Sequence, residues 1–153
     1  MMSITSFALL SALAAIVMSI VLMRWILRQP EGDEKMKEIA RAIQDGARGY
    51  LRKQYGVVAV IAVIIAVILA LALNLATAGG FLLGAVLSAT AGILGMYVSV
   101  RANVRTAEAA KGGLNPALGM ATKAGAVRGL LVAGLSLLGV AFLRWLNPTS
   151  IDA

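Results

Sequence analysis

The stretch 56–100, GVVAVIAVIIAVILALALNLATAGGFLLGAVLSATAGILGMYVSV, decides the class of fold because it contains no Asp, Glu, Lys or Arg. It is too long for one membrane-spanning helix, which needs about 20 apolar residues, and it suits two helices joined by a tight turn. Turn-forming Asn, Thr and paired Gly residues lie together in 74–80, NLATAGG. We therefore predict spans over about 56–76 and 81–100.

Two further apolar runs flank this stretch. The first, 4–23, is long enough to cross a bilayer, and it lacks the preceding basic residues and the cleavage site of a signal peptide. We therefore predict a retained span with its N-terminus outside. The last span is predicted over about 118–143, where Gly112-Gly113 ends the preceding helix, Asn115 serves as N-cap and Pro116 takes the first helical position.

The composition excludes most other classes of protein. The chain has 60% apolar and 14% charged residues, whereas a soluble domain has about 25% charged residues. It contains no Cys and no His, which excludes disulfides, thiolate nucleophiles and imidazole chemistry. We predict an all-α integral membrane protein in which 1–153 form a single transmembrane region, in contact with the lipid bilayer and not with nucleic acid.

The basic residues predict the orientation of the spans. The connection 24–55 carries eight Lys and Arg residues and the stretch 101–128 carries five, against Arg144 on the other side. By the positive-inside rule both basic connections are cytoplasmic, and the N-terminus and the C-terminus are outside.

The segment 32–55 is too polar to span a membrane, yet its apolar residues recur at three- and four-residue steps. They are Met36, Ile39, Ala40, Ile43, Ala47, Tyr50 and Leu51. Three pairs of opposite charge at i,i+3 spacing accompany them: Glu34–Lys37, Glu38–Arg41 and Asp45–Arg48. We predict a cytoplasmic amphipathic extension that continues into the second span. Packing of its apolar face on neighbouring helices is favoured over contact with lipid headgroups or a partner.

Small residues recur at four-residue steps in the third and fourth spans. They are Gly80, Gly84, Ser88 and Gly92, followed by Gly95 and Ser99, and then Gly125 and Gly129. Such faces let helix backbones approach closely, so we interpret them as packing surfaces and not as a pore lining.

Two basic features are functional candidates. Arg128 is the one ionisable residue at appreciable depth in a span, and its side chain has room to extend toward the cytoplasmic end. Arg101, Asn103 and Arg105 form a cluster at the end of the third span, which we interpret as positive-inside anchoring in preference to an anion site.

Three segments resemble the membrane-integral pyrophosphatases. They are 32–55, GDEKMKEIARAIQDGARGYLRKQY, then 95–110, GMYVSVRANVRTAEAA, and 125–139, GAVRGLLVAGLSLLG. The resemblance implies a pump that couples hydrolysis of magnesium pyrophosphate to export of protons or sodium ions. It also implies a homodimer of many-helix chains, with Mg²⁺, and K⁺ or Na⁺, required by the complete pump.

In the family resembled, the first four helices lie in an outer ring, and the acidic motifs that hold the substrate lie on later, inner helices. We therefore assign no catalytic, cofactor-binding or metal-binding residue here, and expect an N-terminal portion of a pump that packs against its remaining helices. The alternatives are a standalone four-span assembly protein without enzymatic activity, or one half of a split pump. The reading frame beyond codon 153 distinguishes them.

Overall fold

The computed structural model describes residues 4–146, and within them the chain forms four α-helices and no strand. The helices are α1 (Ile4–Leu27), α2 (Glu34–Ala72), α3 (Leu75–Ala110) and α4 (Leu114–Leu146). Each is long and apolar enough to cross a membrane. The predicted all-α membrane fold is therefore confirmed. Asp152 and the two termini lie outside the described residues, and the side of the membrane on which each connection lies stays a prediction.

The predicted continuity of the amphipathic extension with the second span is confirmed, since α2 is unbroken over 39 residues. Asp33 caps its first turn, where the carboxylate accepts a hydrogen bond of 2.9 Å from the backbone N–H of Met36. Gly32 precedes the cap with φ of +83°, and a Cβ there would lie 2.6 Å from Glu108 Oε2. Glycine suits this position because the left-handed backbone conformation is strained for any residue with a side chain.

The break predicted over 74–80 is narrower in the structure, where only Leu73 and Asn74 separate α2 from α3. α2 ends at Ala72 and α3 begins at Leu75. Asn74 caps α3 by accepting a hydrogen bond of 2.8 Å from the Thr77 N–H, so one side chain replaces the longer turn. The paired glycines are helical, and a Cβ added at Gly80 would lie 3.6 Å from the Leu143 side chain of α4.

The predicted cap of the fourth helix is wrong. α4 begins at Leu114, which places Asn115 and Pro116 inside its first turn. Proline is tolerated there because the first helical N–H groups have no partner within the helix. The preceding helix does end before the paired glycines, and Gly113 has φ of +111°.

The helices pack in the order α1, α4, α3, α2 across the described residues. A cluster of buried apolar side chains joins α1, α3 and α4: Ile26, Ala91, Val98, Ala102, Met120, Val127 and Leu131. Ser19 of α1 is fully buried and donates a hydrogen bond of 3.1 Å to the Val127 carbonyl of α4. Large apolar side chains remain exposed on every helix, as expected of surfaces that face lipid or other helices.

Candidate functional site

The basic cluster at the end of α3 is split by the structure. Arg105 is 5% exposed and is turned into the protein. Its Nη2 donates to the Leu27 carbonyl at 3.1 Å and to Glu31 Oε1 at 2.7 Å. Its Nε donates to the Gln29 carbonyl at 3.1 Å, and its Nη1 to the Arg101 carbonyl at 2.7 Å. Anchoring at the membrane surface is therefore wrong for Arg105, because its donors are engaged inside the chain.

The position of Arg105 follows from how α1 ends. The last carbonyls of a helix have no partner within that helix, so a donor must come from elsewhere. A guanidinium presents five N–H groups in a fixed planar fork, which allows one side chain to reach the last carbonyl of α1, the Gln29 carbonyl of the connection and a carboxylate together. Arg105 thus fastens the end of α1, and the connection that follows it, to α3.

Arg101 and Asn103 stay near the surface. The Arg101 guanidinium lies 3.6 Å from the centre of the Tyr97 ring and donates to the Tyr97 carbonyl at 3.1 Å. Asn103 is exposed. The anchoring interpretation stays a prediction for these two residues.

Lys111 joins the two connections at the same end of the bundle as Arg105. Its ammonium lies 2.6 Å from Glu108 Oε2 and 3.3 Å from Asp33 Oδ2. The hydrogen bond from Met36 N–H lowers the pKa of Asp33, with a further contribution from Lys111. The hydrogen bond to Glu108, followed by that to Asp33, raises the pKa of Lys111. The cap of α2 and the end of α3 are therefore held together by exposed charges.

The amphipathic face of α2 is buried only at its small residues. Ala40 and Ala47 are buried, whereas the Ile39 side chain is 55% exposed. Ile39 and Ile43 border an open apolar groove of about 220 Å³ against α3. Of the three predicted charge pairs, Glu34–Lys37 and Asp45–Arg48 form. Across residues 4–146 the Glu38–Arg41 pair is not among the ion pairs.

A larger groove runs between α3 and α4, with Tyr55 of α2 at its border, and has a volume of about 500 Å³. We name it the α3–α4 groove, and it is lined by Gly84, Leu87, Ser88, Gly92, Arg128, Val132 and Ser136, among others. Arg128 also borders a second hollow, nearer the end of the bundle that carries Arg105 and Lys111, which we name the basic end. The candidate residue identified from the sequence therefore lies where the two hollows meet.

Only some of the predicted small-residue positions pack against a neighbouring helix. Gly95 lies beneath Arg128, and the Tyr55 hydroxyl fills the space beside Gly92 where a Cβ would stand. Gly125 and Gly129 have open space around them. The tightest approach to α1 is made by a glycine that the spacing did not single out. A Cβ at Gly134 would lie 2.8 Å from Ile16 Cγ1.

The arrangement offers packing and ion pairing, and we assign no catalytic step to it. Within residues 4–146 no three Asp, Glu, His or Cys side chains are grouped so as to hold a metal ion.

Known proteins match nearly the whole sequence. The family described as Inorganic H⁺ pyrophosphatase matches residues 13–152. The chain is 46% identical to a K⁺-insensitive pyrophosphate-energized proton pump of Methanosarcina mazei, over 88% of this chain and 20% of that protein. It is 38% identical to the pyrophosphate-energized membrane proton pump 3 of Arabidopsis thaliana, over 94% of this chain and 21% of that protein. It is 40% identical to a K⁺-stimulated pyrophosphate-energized sodium pump of Thermotoga maritima, over 80% of this chain and 18% of that protein. The chain thus spans about a fifth of the length of the curated relatives it matches.

Proposed function

This chain belongs to the inorganic H⁺ pyrophosphatase family, and we propose that it forms the outer-ring, N-terminal portion of a pyrophosphate-energised pump for protons or sodium ions. Its role is that of a scaffold, which packs against and encloses the catalytic helices contributed by the rest of the pump. The observation that carries the proposal is the 46% identity to the Methanosarcina proton pump, in which the matched residues make up 20% of the length.

The contacts at the basic end support a structural role. Arg105 directs its four hydrogen bonds to three main-chain carbonyls and to Glu31 of the same chain. A guanidinium used in this way holds helix ends in place and has few donors left for a substrate phosphate. In the proposed pump, magnesium pyrophosphate is bound outside this segment, both basic connections face the cytoplasm, and the complete protein is a homodimer.

A chimeric pump tests the proposal. Residues 13–152 of this chain replace the matching residues of the Methanosarcina proton pump, and the chimera is purified and reconstituted in liposomes. We expect magnesium-dependent hydrolysis of pyrophosphate by the chimera, because the catalytic helices come from the relative. The 153-residue chain reconstituted by itself should show none.

Two results would contradict the proposal. One is robust hydrolysis by the purified 153-residue chain, which would place catalytic groups in this segment. The other is a chimera that is dimeric and monodisperse in detergent, yet inactive, beside an active parent pump. Hydrolysis is the chosen measurement because it does not depend on whether the transported ion is H⁺ or Na⁺.

A further inference from the structure

We propose that the α3–α4 groove is the docking site of a transmembrane helix that carries an Asp or Glu side chain opposite Arg128. The inference rests on the proposed function, because the docking helix belongs to the remaining part of the pump. Three observations support it: the groove itself, the depth of Arg128 in the predicted span, and the lack of a partner for Arg128 in the described residues.

Arg128 is exposed in this chain and borders the groove within the predicted fourth span. Its stem lies on Gly95, where an added Cβ would be 3.0 Å from Arg128 Cγ and 3.4 Å from Cδ. Gly95 belongs to the uncharged stretch 56–100 and precedes Arg101 by six residues, which is about 9 Å along a helix. A charge held at this depth is costly unless a partner or water compensates it.

The described part of the chain provides no such partner. Across residues 4–146, Arg128 takes part in no ion pair and no side-chain hydrogen bond. The polar groups of the α3–α4 groove are the hydroxyls of Tyr55, Ser88 and Ser136, which are neutral.

Extension of Arg128 toward the basic end leads to Ser99, Asn103 and Thr106, which are neutral as well. The acids at that end are already engaged, since Glu31 pairs with Arg105 and Glu108 with Lys111. Since Arg128 is exposed and unpaired across residues 4–146, we expect its complementary charge to come from another part of the protein.

The shape of the groove favours a helix as the source of that charge. Gly84 lies in its wall with open space around it, and a small residue of this kind allows helix backbones to approach closely in a bilayer. Ser88 and Ser136 are exposed in this chain and lie where hydroxyl groups can bond across a helix interface. The relatives are about five times as long as the matched segment, so their remaining helices are available to cover this face.

A two-polypeptide assembly tests the inference. A tagged form of this chain is co-expressed with the remainder of the Methanosarcina pump as a separate polypeptide, and the amount that copurifies in mild detergent is measured. Arg128→Lys keeps the charge and should copurify within about threefold of wild type. Arg128→Leu should reduce copurification by at least about tenfold, because the partner carboxylate is left buried and unpaired.

Charge reversal identifies the partner. Arg128→Glu should abolish copurification, and replacement of one Asp or Glu on an apolar helix of the remainder by Lys should restore it. Arg48→Leu is the matched control, since Arg48 is exposed, lies far along α2 and pairs only with Asp45 in the described residues. Arg128→Leu in the isolated chain should remain monodisperse, because leucine is well tolerated in a membrane helix.

The outcomes separate the inference from the proposed function. Failure of the wild-type chain to copurify counts against the proposed function and, with it, this inference. A complex that forms equally well with Arg128→Leu, or an Arg128→Glu variant that no acid replacement restores, overturns the inference alone. Phospholipid that stays bound to the isolated wild-type chain and is lost from Arg128→Leu would also overturn it, because the partner of Arg128 would then be a lipid phosphate.

Discussion

Replacing Arg105 by Met removes the guanidinium that fastens α1 to α3 and keeps an unbranched side chain of similar length. Two of the hydrogen bonds lost bind the carbonyls of Leu27 and Gln29 at the end of α1, at 3.1 Å each. A third binds Glu31 at 2.7 Å. The substitution therefore tests whether this one side chain holds the end of α1 in place.

The expected loss of stability follows from the partners. A hydrogen bond to a charged group contributes about 1.5–3 kcal/mol. For each of the two carbonyls we take the low end of this range, about 1.5 kcal/mol, because water can replace part of the interaction once the end of α1 loosens. The Glu31 side chain is 40% exposed, so its ion pair adds no more than about 1 kcal/mol. Arg105→Met should lower the free energy of unfolding by about 3 kcal/mol.

The assay is reversible unfolding of the purified chain in mixed detergent micelles. Trp25 lies in the last turns of α1 and reports on this end of the bundle, and a Trp145→Phe background makes it the single tryptophan. Arg101→Met is the matched control, since Arg101 stacks on Tyr97 within its own helix. It should cost no more than about 1 kcal/mol. Arg105→Lys should lie between the two, because an ammonium cannot reach all three acceptors.

Arg105 does not hold the end of α1 if the free energy of unfolding of Arg105→Met lies within about 0.5 kcal/mol of wild type, the usual range for surface substitutions. The same conclusion follows if Arg101→Met is equally destabilising. Equality of the two variants would mean that loss of positive charge at this end, and not the hydrogen bonds of Arg105, sets the stability.

Further predictions concern glycine packing and the pH dependence of stability. Gly134→Ala should destabilise the isolated chain by about 1–3 kcal/mol, because its Cβ would lie 3.1 Å from the Ala12 carbonyl and α1 would have to move. Gly129→Ala, which meets open space, should be neutral or stabilising by up to about 1 kcal/mol in the same unfolding assay. Lowering the pH through the depressed pKa of Asp33 should weaken the cap of α2, since this stabilisation is present above the ordinary pKa of 3.8 and is lost in acid. Raising the pH past the ordinary 10.5 of Lys111 and through its raised pKa should remove the contribution of that residue.

Each of these predictions has a matched control variant. Equal effects of Gly134→Ala and Gly129→Ala would refute the close approach of α1 and α4. Asp33→Asn keeps a capping oxygen that does not titrate, so it should flatten the acid limb of the stability profile. An unchanged acid limb in this variant would show that another group causes the loss.

Local features of the sequence are sufficient to predict the four helices and the continuity of α2. The run 56–100 has no charge, and the apolar spacing of 32–55 continues into it without a proline. Two helix starts differ by a few residues from the prediction, since α3 begins at Leu75 and not at 81, and α4 begins at Leu114 and not at Pro116. In the first case paired glycines predict a turn, yet Gly79 and Gly80 are helical, since glycine is common in membrane helices and packs against neighbours.

The candidate site could not be predicted in full, because it depends on contacts between residues that are far apart in the sequence. Arg101 and Arg105 look alike in the sequence, yet one lies on a tyrosine of its own helix while the other binds residues 74 to 78 positions away. The depth of Arg128 followed from its place in the fourth span, but its position over Gly95 required two helices to pack. Hydropathy and spacing describe how each helix partitions into a membrane, whereas the direction of a side chain is set by which unsatisfied carbonyl, charge or gap a neighbouring helix presents.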